Sequence, residues 1–367
     1  MPEHPHPEPA HPEHPHPEHP HHPIRTGIIG FGLAGRVFHA PFLAANPAFA
    51  LTTIATSSPE RAAEARAAHP AARVVPTPEA LLAEVADGRL DLVVLASPPH
   101  VHREQAIAAL EAGAAVVVDK PFAPSVADAE AIIAAADRAG RPLTVFQNRR
   151  WDGDFLTVRR LLDEGALGRV HRFVSSFERF GAAKRELWQG RLTPEQGGGI
   201  LFDLGSHLVD QALTLFGPAS LEHAELSTVR EGLGSEDDAF LSLRHDSGVR
   251  SHLTMSRVAA RSAARFRVLG DAAGFAVEGL DPQEAALRAG ARPSDPGFGE
   301  TAADRWGELG VEGQGELVRV PTEAGRYAEF FARLAASIRD GAPVPVDARH
   351  ALATVRILEE AHRRDRG

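Results

Sequence analysis

The sequence predicts an α/β protein in two parts: an N-terminal, doubly wound parallel sheet, followed by an α/β domain with a large, mostly antiparallel sheet. Three observations predict this architecture. Between residues 24 and 147, short apolar runs alternate with Ala-rich helical stretches. The turn after the first apolar run reads Gly30-Phe31-Gly32-Leu33-Ala34-Gly35. Beyond residue 148, several strand-like runs follow one another through short turns.

The composition excludes several classes of function. The chain has 367 residues, which is more than one hydrophobic core usually fills. It has no cysteine, so disulfides, thiolate nucleophiles and Cys-ligated metals are excluded. The net charge is -10 and no dense Lys/Arg stripe occurs, so we expect no nucleic-acid partner. Because no secretory signal or long apolar run occurs, we expect a cytoplasmic protein with no membrane partner.

Residues 1–23 form a Pro/His/Glu-rich segment with almost nothing apolar to bury, and we predict that this tail is disordered. Imidazole is a common metal ligand, so the tail could bind Zn or Ni loosely. Its alternating prolines hold the chain extended and oppose a closed site, so we predict no metal centre. The histidines concerned are His4, His6, His11, His14, His16, His19, His21 and His22.

The first part of the chain is predicted to form βαβ units. Gly113 follows a helix predicted over 101–112, where a left-handed residue is needed. Ser125 and Asp128 resemble a capping box for a helix that ends near Ala139. Such alternation indicates right-handed crossovers on a parallel sheet. The predicted strands are 27–29, 51–56, 90–96, 114–118 and 143–147, with a further helix at 59–68.

The second part begins with a predicted helix at 155–164. Turns at 245–248 and 270–274 are short enough to join antiparallel neighbours. Residues 281–315 are rich in Gly and Pro, and we predict an extended surface loop there. We found no internal repeat. Strands are predicted at 170–180, 239–243, 249–255, 264–269 and 275–277, and closing helices at 326–339 and 350–364.

The glycine turn has the spacing G-x-G-x-x-G between a strand and a helix, which is the context in which this motif binds a dinucleotide. Gly30 permits the tight turn, Gly32 lets the backbone approach pyrophosphate, and Gly35 lets helix pack on strand. Phosphate then contacts the free N–H groups of the helix N-terminus. We therefore predict a Rossmann domain in which Gly30, Phe31, Gly32, Leu33, Ala34 and Gly35 contact NAD(P).

The second strand ends without the acidic residue that usually binds the ribose of NAD. It ends instead in Thr56-Ser57-Ser58, with Arg61 shortly after. Hydroxyl groups and a guanidinium suit the 2′-phosphate of NADP, so NADP is favoured and NAD stays possible. As an alternative that does not exclude this role, the two serines could form the N-cap region of a helix that starts at Pro59.

Asp119-Lys120-Pro121 follows a buried parallel strand, at the edge of the sheet where ligands of such folds bind. An exposed lysine is usually surface charge, but at this position we predict a catalytic Lys120. The remaining expected cofactor contacts are Ser97, Pro98, His102, Asp119, Lys120 and Pro121.

A helix beyond the glycines at 197–199 has a polar face. At helical spacing, Asp203 and His207 lie one turn apart, with Asp210 and Gln211 beside them. A carboxylate and an imidazole so placed can bind the same substrate hydroxyl groups, or the carboxylate can raise the basicity of the ring. By itself the pattern also fits an ordinary amphipathic helix. Together with Lys120 and the glycine turn, it predicts a catalytic pair.

With these residues assembled, the sequence resembles the Gfo/Idh/MocA oxidoreductase family. The likeness covers nearly everything after Ile24, with residues 119–121 at the E-K-P motif and Asp203-x-x-x-His207 at the D-x-x-x-H motif. Asp119 departs from the family's glutamate but keeps the carboxylate. Stretches at 35–41, 147–155 and 203–207 resemble the branch of NADP-dependent scyllo-inositol dehydrogenases.

The resemblance implies a mechanism and a substrate class. His207 would be the general base on a substrate hydroxyl, Lys120 would hold that oxygen, and Asp203 would orient the His207 ring. The family's Lys–Pro bond is usually cis. The substrate would be a cyclitol or sugar-like polyol, with scyllo-inositol preferred. The chain would form a homodimer or homotetramer through the open face of the second sheet.

Residues at the start of the second part are candidates for substrate contact, because sugars need one flat apolar wall and several polar partners. An interdomain hinge is the structural alternative for this segment. Lys184 is a weaker candidate, and His39 could approach the cofactor or simply pack in its helix. The substrate candidates are Asn148, Arg149, Trp151, Asp154, Phe155 and Trp188.

Other functions stay open from sequence alone. A non-catalytic NAD(P)-binding regulator, such as the yeast galactose-pathway repressor, has the same architecture; it would not need Lys120, Asp203 and His207 together. An aldose dehydrogenase or a biliverdin-type reductase would keep the enzyme class but change the substrate. We expect a cofactor domain over 24–147, a substrate and oligomerisation domain over 148–325, and helices over 326–367 that pack back on the body.

Overall fold

In this computed structural model, residues 22–181 and 192–365 are described. Most of the predicted tail, and the segment that contains Lys184 and Trp188, lie outside the described residues. The described helices include none that is long and apolar enough to cross a membrane. No group of three or more His, Asp or Glu side chains within these two ranges could hold a metal ion.

The first sheet has six parallel strands in the order β3-β2-β1-β4-β5-β6. The central strands are buried on both faces, which explains why they are continuously apolar in sequence. The strands are β1 (Ile24–Ile29), β2 (Phe49–Ala55), β3 (Arg73–Val75), β4 (Leu92–Leu95), β5 (Ala115–Asp119) and β6 (Leu143–Phe146). The predicted parallel sheet is confirmed; the short strand β3 was not predicted.

Helices cross between these strands, and their first turns are capped by side chains. Ser58, Thr77 and Ser125 each accept a hydrogen bond from a backbone N–H three residues later. A π-helical turn, Ala34–His39, precedes α1. The helices are α1 (Ala40–Ala45), α2 (Pro59–Ala68), α3 (Pro78–Ala86), α4 (His102–Glu111) and α5 (Val126–Ala139).

Strand order reverses between β1 and β4, which are adjacent although they lie far apart in sequence. At such a switch point the connections leave on opposite faces of the sheet, and a crevice opens beyond the carboxyl ends of the strands. The glycine turn after β1 and the segment after β4 therefore border one crevice.

The second sheet has eight strands in the order β14-β13-β12-β11-β7-β10-β9-β8. All neighbours pair antiparallel except β7 and β10, which are parallel. The predicted, mostly antiparallel sheet is confirmed. Its strands are β7 (Val170–Glu178), β8 (Ala219–Ser227), β9 (Asp238–His245), β10 (Arg250–Ser256), β11 (Phe266–Gly270), β12 (Gly274–Val277), β13 (Gly307–Gly310) and β14 (Val318–Val320).

Among the described residues, helices cover one face of this sheet. Alternate strand residues such as Phe173, Leu241 and Val268 are buried against helices, whereas Arg172 and Arg267 on the other face are exposed. The covering helices are α6 (Gly153–Asp163), α7 (Ser206–Phe216) and part of α10 (Ala348–Asp365). A π-helical turn, Leu201–Gly205, leads directly into α7.

The closing helices join the two cores. Phe330 and Phe331 of α9 (Tyr327–Asp340) pack in the core of the first sheet. The next helix, α10, contributes Val355 to that core and Leu358 to the core of the second sheet. The chain thus returns to the first sheet after completing the second.

The prediction of an extended surface loop over residues 281–315 is wrong in two places, because this segment contains helix α8 (Gln283–Arg288) and strand β13. Residues 289–306 between them contain no α-helix or strand. Asp281 and Gln283 are buried, and Asp281 accepts a hydrogen bond of 2.7 Å from the backbone N–H of Gly153. These polar contacts hold residues 281–283 against the first turn of α6.

Candidate active site

The glycine turn is built by close backbone contacts. Gly30 has φ +98°, and a Cβ there would lie 2.6 Å from the Ala96 carbonyl oxygen. A Cβ on Gly35 would overlap the Gly30 carbonyl oxygen. By contrast, a Cβ on Gly32 would meet only the Arg61 guanidinium, at 3.7 Å. Gly30 and Gly35 are therefore required by the turn, whereas Gly32 faces open space in which a ligand can approach the backbone.

A cavity of about 540 Å³ runs from this turn to the second sheet, along the carboxyl ends of the parallel strands. Its size is within the range of small-molecule sites. The predicted site residues that line it are Gly30, Phe31, Gly32, Leu33, Ala34, Thr56, Ser57, Arg61, Ser97, Pro98, Asp119, Lys120, Asn148, Arg149, Asp203 and His207.

The first end of the cavity fits a dinucleotide. Thr56, Ser57 and Arg61 border it beside the glycine turn, and no carboxylate is among the residues that line this end. The Ser58 Oγ does not line the cavity; it accepts a hydrogen bond of 3.3 Å from the backbone N–H of Arg61. The structure therefore gives Ser58 the capping role and leaves the hydroxyl groups of Thr56 and Ser57 at the cavity.

Four residues predicted to bind the cofactor do not line the cavity: Gly35, Ser58, His102 and Pro121. His102 is fully buried, and its ring nitrogens lie 2.9 Å from the Ser97 carbonyl and 3.2 Å from the Phe122 carbonyl. The prediction for His102 is wrong, because the buried ring faces these two backbone carbonyls and does not line the cavity. Pro121 also lies outside the lining; its bond to Lys120 is cis, as the resemblance implied.

Lys120 reaches across the cavity from the end of β5 to the π-helical turn before α7. Its Nζ donates to the Asp203 carbonyl at 2.8 Å and to Asp203 Oδ1 at 3.1 Å. The other oxygen of Asp203 accepts from Arg257. Burial alone would raise the pKa of Asp203, but the charges of Lys120 and Arg257 outweigh it and hold that pKa below its usual range.

His207 lines the same cavity and is buried. Its Nδ1 has no hydrogen-bond partner in the described chain, so Asp203 does not orient the ring, contrary to the role that the resemblance implied. Burial, and then the positive charges of Lys120 and Arg149, lower the pKa of His207 well below its usual value. The imidazole is therefore neutral at neutral pH and able to accept a proton.

The rest of the polar face of α7 is structural. Asp210 pairs with Arg150 at 2.6 Å, and Gln211 accepts from Arg265 at 2.6 Å. These contacts link α7 to the second sheet and to the segment after β6, so the amphipathic-helix interpretation holds for these two positions.

In the segment 148–155, some of the predicted side chains line the cavity and others do not. Asn148 and Arg149 line the cavity, and Arg149 forms ion pairs with Asp152 at 3.1 Å and Glu284 at 2.6 Å. Three predictions in this segment are wrong, because the side chains pack away from the cavity. Trp151 packs edge-on against Phe330, Phe155 lies in the core of the second sheet, and Asp154 faces Arg265 at 3.6 Å.

His39 is fully buried, with its ring 4.3 Å from that of Phe146. It does not line the cavity, so the packing interpretation holds. Its Nε2 is 4.0 Å from Asp119, and burial raises the pKa of that carboxyl group to about 6.

Four residues that line the second end of the cavity were not predicted from the sequence. Phe177 lies at the end of β7 and Arg179 follows that strand, whereas Glu284 and Arg288 belong to α8. Alternation along β7 could have indicated that Phe177 and Arg179 share a face. No local signal marks Glu284 and Arg288, because they reach the cavity only through the path of the segment that was predicted to be a loop.

Comparison with known proteins agrees with this geometry. A family model described as "Oxidoreductase family, NAD-binding Rossmann fold" matches residues 24–147, and the GFO/IDH/MocA C-terminal domain model matches residues 155–276. The chain is 33% identical over 340 residues to a scyllo-inositol 2-dehydrogenase (NADP(+)), IolW, of Bacillus subtilis, covering 92% of each chain. It is 38% identical to the uncharacterized oxidoreductase YdgJ of Escherichia coli, covering 92% of this chain and 94% of that one.

A solved structure of the yvaA protein of Bacillus subtilis has a TM-score of 0.85 at 33% identity, covering 94% of this chain and 96% of that one. Fold and matches together define the class of protein, an oxidoreductase with an NAD-binding Rossmann domain. The chain belongs to the Gfo/Idh/MocA family, as its motifs predicted.

Proposed function

We propose that the protein is an NADP-dependent dehydrogenase that oxidises a secondary hydroxyl group of a cyclitol or sugar-like polyol, with scyllo-inositol as the first compound to test. One observation supports this function above all: Lys120 and His207 line a single cavity that also contains the glycine turn. The named activity of the B. subtilis relative supports the choice of cofactor and substrate class.

The residues suit this chemistry. A nicotinamide cofactor bound at the glycine turn would accept the hydride. Burial and nearby cations lower the pKa of His207 and keep its imidazole neutral, so its ring nitrogen would be free to accept the proton of the substrate hydroxyl. The Lys120 ammonium would donate a hydrogen bond to the oxygen as negative charge develops there. Asp203 would position Lys120 through the hydrogen bonds at 2.8 and 3.1 Å.

The cavity residues also support NADP over NAD. The Arg61 guanidinium lies beside Gly32, and the nearby Thr56 and Ser57 add hydroxyl groups. A 2′-phosphate would gain charge-assisted hydrogen bonds from Arg61, and no carboxylate lines this end of the cavity to repel it.

The test is a substrate panel with the purified protein. scyllo-Inositol, myo-inositol and common aldoses are each assayed with NADP⁺ and with NAD⁺, following the absorbance of the reduced nicotinamide. We expect turnover of at least one polyol, with kcat/KM about tenfold higher for NADP⁺ than for NAD⁺. Tight NADP⁺ binding without turnover of any compound would instead support a regulator of the same fold.

A further inference from the structure

The second end of the cavity contains an arginine side chain, Arg179, that no carboxylate of the described residues pairs with. Arg179 follows β7 and continues its pairing, since its backbone N–H donates to the Ser256 carbonyl at 3.0 Å. It lines the cavity together with Phe177, two residues earlier. The intervening Glu178 accepts from the Ala263 backbone N–H at 2.6 Å. In the described parts of the chain, Arg179 forms no ion pair and no side-chain hydrogen bond.

The nearby carboxylates are already engaged by other cations. Asp203 accepts from both Lys120 and Arg257. Glu284 accepts from Arg149 at 2.6 Å and from Arg288 at 2.8 Å. An arginine stays protonated in proteins, so within residues 22–181 and 192–365 Arg179 leaves an excess of positive charge at this end of the cavity.

The surroundings of Arg179 make that charge costly. Burial, followed by the positive charge of Arg257, lowers the pKa of Arg179. A partly buried charge is stabilised when an opposite charge enters with hydrogen bonds. An anionic group would therefore be attracted to this position more than a neutral hydroxyl group would be.

Phe177 positions the guanidinium. Arg179 lies 5.7 Å from the centroid of this ring, and Arg149 lies 4.7 Å from it. These distances are within the range of cation–π contacts. The ring is also an apolar wall of the cavity beside Arg179, so a ligand could rest on it while its charged group meets Arg179.

We propose that Arg179 is a specificity-determining residue that binds an oxyanion, a carboxylate or a phosphate, on the polyol substrate. This inference rests on the proposed function and narrows its substrate class to acidic sugars or cyclitols. The planar fork of a guanidinium binds either oxyanion through paired hydrogen bonds.

The test compares neutral compounds with their acidic counterparts. D-Glucose is compared with D-glucuronate and D-glucose 6-phosphate, and myo-inositol with its monophosphate, each with NADP⁺. We expect kcat/KM to be about 10- to 100-fold higher for at least one acidic member of a pair, as a charge-assisted hydrogen bond would give. The carboxylate and phosphate arms show which oxyanion fits.

A matched pair of variants then assigns the preference to one residue. Arg179→Gln removes the charge and is expected to raise KM for the acidic substrate about 10- to 100-fold, with a smaller change in kcat. Arg159→Gln removes an arginine that is exposed on α6 and lies outside the cavity lining, and it should leave that KM unchanged. Arg179→Lys keeps the charge without the fork and should give an intermediate KM.

Two results would overturn the inference. Neutral members of every pair turned over as well as or better than the acidic ones would reject it, even if Arg179→Gln did not fold, and would leave the proposed dehydrogenase intact. A preference for acidic substrates that survives in Arg179→Gln would reject the role of this residue. Failure of all compounds, neutral and acidic, would instead reject the proposed function.

Discussion

The two ends of the cavity differ in how they are built. The cofactor end consists of short segments that each follow a parallel strand, and its close contacts are between backbone atoms, as at Gly30 and Gly35. The substrate end is assembled from side chains of β5, β7, α7 and α8, and most of these side chains are charged. Backbone geometry determines the first end, and charged side chains determine the second. Substitutions at the two ends should therefore have different effects.

The largest expected effect is on Lys120. Lys120→Ala should lower kcat about 1,000-fold, since hydrogen bonding to the developing alkoxide is lost, whereas Kd for NADP⁺ should change less than about threefold. Steady-state kinetics gives kcat, and a calorimetric titration with NADP⁺ gives Kd. If Kd rose by the same factor by which kcat fell, Lys120 would be a cofactor anchor, and the distinction between the two ends would fail at this residue.

The pH dependence of activity tests whether the surroundings of His207 at the second end of the cavity lower its pKa. Because its pKa is lowered, the imidazole stays neutral as pH falls through the usual histidine range. We expect kcat/KM for polyol oxidation to stay level from about pH 8 to about pH 6.5 and to fall only at lower pH. His207→Asn should lower kcat about 100-fold. An acid limb centred at or above the normal histidine pKa would argue against the proposed base.

A pair of glycine substitutions tests whether close backbone contacts build the cofactor end of the cavity. Gly35→Ala places a Cβ against the Gly30 carbonyl oxygen, so it should lower the free energy of unfolding by about 1–3 kcal/mol and weaken NADPH binding. Gly32→Ala meets no backbone and should change stability by less than about 1 kcal/mol, while still weakening NADPH binding about tenfold. Chemical denaturation and calorimetric titration provide the values. Equal loss of stability in the two variants would contradict the separate roles.

Substitutions at Arg61 and at Ser58 distinguish the effect on cofactor preference from the effect on helix capping. Arg61→Gln should raise Kd for NADP⁺ about tenfold and leave Kd for NAD⁺ nearly unchanged, because only the 2′-phosphate loses a partner. Ser58→Ala is the control: it removes the cap of α2, at about 1 kcal/mol of stability, and should keep the ratio of the two Kd values. A preference for NADP⁺ that persists in Arg61→Gln would assign the choice to Thr56 and Ser57.

The smallest functional effect is expected at Trp151. This ring packs on Phe330 away from the cavity, so Trp151→Phe should leave KM for the substrate unchanged and cost about 1–3 kcal/mol of stability. Phe177→Leu alters a wall of the cavity, so KM for the substrate is measured in that variant for comparison. A higher KM in Trp151→Phe alone would restore the interpretation of Trp151 as a substrate contact.

The difference between the cofactor end and the substrate end also explains how much of the site could be predicted from sequence. The parallel sheet, the glycine turn and the position of Lys120 follow from local patterns: apolar runs, turn glycines and strand ends. The pairing of Asp203 with Lys120, instead of with His207, depends on two segments 83 residues apart meeting in space. Trp151, Asp154 and Phe155 have side chains typical of a sugar site, but burial against α9 and the second sheet decides their role, and no local pattern shows burial of that kind.

Helix α10 limits how far the two sheets can rotate apart to open the cavity. Because Val355 belongs to one core and Leu358 to the other, a wide rotation of the two sheets would expose apolar side chains of this helix to water, at about 1.5–3 kcal/mol for each. Ligands should therefore enter through small movements of the loops at the rim, with the two halves held at a nearly constant angle throughout turnover.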